Sequence, residues 1–78
     1  MKTTKYFDSI KNRQDRASIK EHWIARVIEN PNKVFVQDDG RIRLWGQIEE
    51  MDGRYLRVVL LEDGETIHNA FFDKRFKL

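Results

Sequence analysis

Apolar residues recur first at helical spacing along this 78-residue chain and then, beyond Pro31, at every second position. Tyr6, Phe7 and Ile10 lie three and four residues apart and are followed by polar Asp15-Arg16, which predicts a short helix from about 5 to 13. Ile19, Trp23 and Val27 recur every four residues, as do Ile24 and Ile28, so that one broad apolar stripe results. Ser18 and Glu21 have the S-x-x-E spacing of a capping box, in which the hydroxyl accepts from an orphan amide and the carboxylate reaches back. Asn30-Pro31 closes the segment, because proline pushes the residue before it out of the helical region. A helix over 18–29 is the expectation.

The period of two then defines strands. Lys33 to Gln37 is β-branched and aromatic, and Asp38-Asp39-Gly40 is a turn. Arg41 to Glu49 alternates, and after a turn at Met51-Asp52-Gly53 the run Arg54 to Leu61 forms the next strand. Asp63-Gly64 is a tight-hairpin signal leading into Glu65 to Phe72. The pattern predicts a single α+β domain over 1–78, with one or two N-terminal helices packed on an antiparallel meander of three or four strands. Its parts are a helical or irregular segment 1–16, a main helix 17–30, a sheet 33–72 and a basic tail 73–78.

Loop lengths give a register. A two-residue loop at Asp63-Gly64 pairs Leu60 with Ile67 and Val59 with His68, and a three-residue loop at Met51-Asp52-Gly53 pairs Trp45 with Val59 and Leu44 with Leu60. One face then carries Ile42, Leu44, Ile48, Leu56, Val58, Leu60, Ile67 and Phe71 as the core. The other carries Arg41, Arg43, Trp45, Gln47, Tyr55, Arg57, Thr66 and His68, with Trp45, Val59 and His68 in one row. Asn69 falls awkwardly on the core side: either its amide bonds to a neighbouring loop, or a bulge shifts this strand, in which case His68 turns inward and the row fails.

Chemically, guanidinium groups bind phosphate with paired donors, an aromatic plane stacks a base, and histidine moves a proton near neutral pH. The plainer reading of the same residues is a solvated sheet face, since antiparallel sheets commonly bury one side and wet the other. The polar flank of the main helix, with His22, Arg26 and Glu29, reads as solvated surface.

Composition narrows the field. Hydrophobic residues make up 40% and charged residues 36%, the balance of a folded domain. The net charge of +2 is too small by itself to imply nucleic acid. With no cysteine and two histidines, disulfides and thiolate metal sites are excluded, and neither metal nor cofactor is expected. No apolar run is long enough to span a bilayer and no apolar stretch follows Met1-Lys2-Thr3-Thr4-Lys5, so neither membrane association nor secretion is expected. A cytoplasmic location is the expectation, the lack of cysteine suiting a reducing compartment. The glycines match no phosphate-loop spacing, and Ser9 and Ser18 have no base pattern beside them.

Four segments in order, W-I-x-x-V-I-E-N-P (Trp23 to Pro31), D-G-R-I-R-x-W (Asp39 to Trp45), G-R-Y-L-R-V-V-L-L-E-D-G (Gly53 to Gly64) and T-I-H-N-A-F-F-D-x-R (Thr66 to Arg75), resemble small bacterial proteins common in cyanobacteria. Those proteins look related to the BrnT-like and RelE-like toxin ribonucleases. The resemblance covers roughly residues 17 to 77 and implies a metal-independent endoribonuclease of a toxin–antitoxin pair, with RNA as substrate and a cognate antitoxin as partner. On that footing His68 is the acid or base, Arg43 and Arg57 hold the scissile phosphate, and Arg41, Trp45, Tyr55 and Arg75 bind RNA. The alternative is a non-catalytic protein-binding module or accessory protein using the same cationic face. A site open to solvent would favour the first, and an apolar cover over it the second.

Overall fold

Thr4 stands in extended conformation ahead of α1 (Lys5–Ile10), and its Oγ1 accepts from the Phe7 amide at 3.0 Å. That bond satisfies one of the orphan donors at the helix start. The chain in the computed structural model, which describes residues 1–78, turns repeatedly after Ile10 before α2 (Glu21–Glu29) begins. The first helix is therefore shorter than the predicted 5–13, and the second starts three residues later than predicted. The capping box does not form. Residues through Ile19 bond back to the Arg13 and Arg16 carbonyls, and Lys20 takes the N-cap position with no side-chain cap bond.

The helices pack on a four-stranded antiparallel sheet, β1 (Lys33–Val36), β2 (Ile42–Ile48), β3 (Arg54–Leu60) and β4 (Ile67–Phe72), in chain order. This is the α+β meander that the pattern predicts. Its core joins Phe7 and Ile10 of α1 and Trp23, Ile24 and Val27 of α2 to Leu44, Ile48, Leu56, Val58, Leu60, Ile67 and Ala70 of the sheet. Ile48, Leu56, Ile67, Val27 and Val58 are fully buried, each contributing roughly 1.5–3 kcal/mol by leaving water. At Gly46 a Cβ would lie 2.7 Å from Val27 Cγ2, so only glycine lets α2 approach β2 this closely.

Two register expectations change. A turn of 3-10 helix (Glu49–Met51) lengthens the β2–β3 connection, with Asp52 at φ 57° and Gly53 at φ 74° reversing the chain. Trp45 consequently faces Arg57, and Leu44 faces Val58, two residues from the predicted pairing but on the same faces. Between β3 and β4 the pair Leu60–Ile67 forms as predicted, but Val59 pairs with Asn69 rather than His68. A bulge at His68 separates these pairs. It carries Asn69 and Phe71 to the face away from the core and brings Ala70 and Phe72 onto it, so Phe71 is not the core residue predicted. The loop is also longer than two residues: Asp63 accepts from the Glu65 and Thr66 amides and the Thr66 hydroxyl, and the strand starts at Ile67 instead of Glu65.

The edge of β4 is extended by the N-terminus. Ile67 donates to the Lys2 carbonyl at 2.9 Å, and its own carbonyl accepts from Thr4 at 3.0 Å. No helix is long and apolar enough to cross a membrane.

Candidate functional site

The face opposite the helices divides into a covered half and an open half. Trp45, Arg57 and Phe71 form a row across β2, β3 and β4. The Arg57 guanidinium lies between the rings, 5.6 Å from the Trp45 centroid and 5.1 Å from that of Phe71. Its Nη1 is 3.7 Å from Asp73 Oδ2, an ion pair too long for a hydrogen bond. Trp45 Nε1 donates to the same oxygen at 3.0 Å. Phe76 then lies on the indole, and Tyr55 meets the Phe76 ring at 5.0 Å and a steep angle.

The tail is fixed here by its backbone. Asp73 donates to the Tyr55 carbonyl, and its carboxylate caps the turn by accepting from the Arg75 amide at 3.1 Å. Burial pushes the Arg57 guanidinium down from its ordinary value, helped by the charge of Arg43 and opposed by Asp73. It remains a cation at any physiological pH. Burial tends to raise the Asp73 carboxyl, but hydrogen bonds from Trp45 and the Arg75 amide, with the charge of Arg57, bring it below its ordinary value. Arg57, Trp45 and Tyr55 are thus packed against the chain's own tail.

His68 sits elsewhere. As the extra residue of the bulge it faces no residue of β3, so the predicted row with Trp45 and Val59 does not form. Its Nδ1 is 3.1 Å from Thr4 Oγ1, and its ring lies 5.0 Å from that of Tyr6. Burial, and then the nearby Arg41 charge, hold the imidazole below its ordinary 6.5. The Thr4 contact suits either tautomer of the neutral ring, and the one with Nδ1 protonated toward Thr4 Oγ1 leaves the Nε2 lone pair able to accept a proton. Tyr6 is 47% exposed, and Arg41, also exposed, has its Nε 3.8 Å from Asp39 Oδ2.

The remaining arginines point in different directions. Arg43 Nε donates to Gln37 Oε1 at 2.6 Å and its guanidinium lies 5.5 Å from the Phe35 centroid. It borders a shallow hollow with Phe35, Gln37, Asp38 and Asp39, whose two carboxylates oppose an anion. Arg75 is exposed on the tail beside Lys74 and Lys77. The structure therefore brings Arg57 to Trp45, but does not gather Arg43, Arg57 and His68 into one site. No cluster of three or more His, Asp or Glu side chains is placed to hold a metal ion.

Four contributors went unpredicted: Thr4, Tyr6, Asp73 and Phe76. Thr4 carried a signal, standing just before the first helically spaced apolar residues. Phe76 carried another, as an aromatic ring set among the charged residues Asp73, Lys74, Arg75 and Lys77. Compared with family models, curated proteins and solved structures, the chain matches none of them.

Proposed function

We propose that this domain is a toxin-like, metal-independent endoribonuclease of the cytoplasm, which cleaves RNA by 2′-hydroxyl attack and is restrained by a cognate antitoxin. The observation that carries this reading is the setting of His68: one nitrogen against Thr4 and the ring against exposed Tyr6, with the imidazole held below its ordinary value by burial and then by the charge of Arg41. In the reaction His68 Nε2 takes the proton of the 2′-hydroxyl as its oxygen bonds to phosphorus. Arg41 faces the charge that gathers on the phosphoryl oxygens. The bond to the 5′-oxygen breaks, and that oxygen takes a proton from the imidazolium. A 2′,3′-cyclic phosphate and a 5′-hydroxyl end result. Arg57 and Trp45, assigned to phosphate and base from the pattern, have structural parts in this version, Arg43 lies beside carboxylates that oppose an anion, and Arg75 binds the flanking strand.

The second reading is a protein-binding module without catalysis. It is favoured by the covered half of the face, where Asp73 and Phe76 already engage Arg57 and Trp45. One experiment separates the two. Purified protein is incubated with single-stranded RNA in the presence of a chelator, and the product ends are identified. The first reading expects cyclic-phosphate ends, lost with His68→Ala and with RNA lacking the 2′-hydroxyl. Intact RNA, together with normal growth of a host induced to express the protein, would move the binding module ahead.

A further inference from the structure

β1 is the least covered element of the sheet. All four of its residues are exposed, and Val34, Phe35 and Val36 leave 49%, 50% and 60% of their surface open. The main helix packs on β2 and β3, so the apolar layer continues past its cover at Val34 and Val36, which pair with Leu44 and Ile42. On the other face half of Phe35 is open, with the guanidinium of Arg43 5.5 Å from its ring centroid.

The backbone of β1 is also half used. Gln37 donates to the Arg41 carbonyl at 2.8 Å, and the Phe35–Arg43 pair follows two residues along. Bonded groups alternate along an antiparallel ladder, so the N–H and C=O of Val34 and Val36 point away from β2. The opposite edge differs, since Lys2 and Thr4 already occupy it at Ile67.

We infer that β1 is a self-association edge, where two copies of the chain pair antiparallel about a two-fold axis through Phe35 and join their sheets into one. In this register Val34 of each copy faces Val36 of the other, and their outward groups exchange hydrogen bonds. Phe35 meets Phe35 at the non-hydrogen-bonded position, where facing side chains come closest. Every apolar residue of the strand thereby gains an apolar partner. Charge favours a second copy over an unrelated strand: Lys33 lies at one end of β1, and Asp38 and Asp39 lie just past the other. Reversing the same strand brings Lys33 of each copy opposite Gln37 of its neighbour, beside those carboxylates. An isologous contact of this kind closes on itself, and it covers the free edge without building a fibre. It uses neither His68 nor Arg41 and stands independently of the RNA-cleaving role.

The test is sedimentation of the full chain over a range of concentrations, with amide exchange of Val34 and Val36 followed by NMR. The mass is expected to rise from the 9.4 kDa monomer toward twice that value, with both amides gaining protection in parallel. Val34→Lys, at a half-exposed position, is expected to weaken association about tenfold or more while leaving the melting curve of the monomer in place. Lys33→Glu should weaken it as well, and Lys33→Glu combined with Asp38→Lys should restore it, which keeps the proposal testable if Val34→Lys unfolds. A monomer at millimolar concentration would overturn the proposal. So would a dimer that keeps Val34 and Val36 freely exchanging, or one that charge reversal at Lys33 leaves unchanged.

Discussion

The ring of Phe76 lies almost parallel to the indole of Trp45, with centroids 4.7 Å apart and planes inclined by 13°. This contact makes the last residues of the chain part of the fold. Trp45 is only 7% exposed although it points away from the main core. Phe76→Ala should therefore cost about 1–2 kcal/mol, combining lost burial with the loss of a stacked pair. It should also shift tryptophan emission to the red, as the indole becomes wet. Urea unfolding and fluorescence check both, and an unchanged midpoint would mean that the tail does not hold Trp45 in solution.

Gly46 and Val27 define how closely helix and sheet can approach. With a Cβ at 2.7 Å from Val27 Cγ2, Gly46→Ala is expected to destabilise the domain by about 1–3 kcal/mol as an overpacked contact. Val27→Ala removes the clashing methyl groups, so the double variant should be less destabilised than the sum of the two single changes. A strictly additive thermal-melting result would place the helix farther from β2.

The architecture was legible in the sequence because periodicity reports burial. Ile42, Leu44 and Ile48 kept their face even though the β2–β3 pairing moved by two residues, since a shift of two preserves the side on which each side chain falls. The bulge was the step that periodicity could not supply. One extra residue at His68 reverses the alternation beyond it, which sends Phe71 to the cationic face and Phe72 to the core. Asn69 on a predicted core face was the local sign of that reversal. The site was less legible than the fold because Thr4–His68 and Trp45–Asp73 join residues distant in sequence, and spacing rules do not reach that far.

Trp23 anchors the main helix at 4% exposure, with its ring edge-on to Phe72 at 6.2 Å. Trp23→Ala deletes that buried volume and should cost about 3–5 kcal/mol, a large share of what a domain of this size has. A melting shift near zero would remove the helix from the core.

Acid should loosen the molecule at two exposed carboxylates. Glu50 accepts two bonds from the Arg26 guanidinium at 2.9 Å each, which lowers its pKa from 4.5 to about 2. Asp63 is lowered from 3.8 to about 2, first by the Thr66 hydroxyl and then by the Thr66 and Glu65 amides. Both are depressed in the fold, so their contribution is fully present above the ordinary values and is lost as pH falls toward about 2. Carboxyl titration by NMR should find both below the ordinary range. Glu50→Gln should flatten the acid slope of unfolding, and added salt should reduce the Arg26–Glu50 part, because that pair is solvated.

His68 links stability to the proposed chemistry. Its folded pKa is depressed, so the folded chain holds fewer protons than the unfolded chain in the window below 6.5. Stability from the neutral ring is therefore present above 6.5 and declines as pH falls through the depressed folded value. His68→Asn should remove that slope, and Thr4→Val should alter it by deleting the Nδ1 partner together with the cap on Phe7. The same shift keeps Nε2 available as a base further into acid, so RNA cleavage should persist below 6.5 and fall off with the pKa measured for His68. A cleavage profile that follows another group, with His68 titrating normally by NMR, would separate the bulge residue from catalysis and leave it a structural role beside Thr4 and Tyr6.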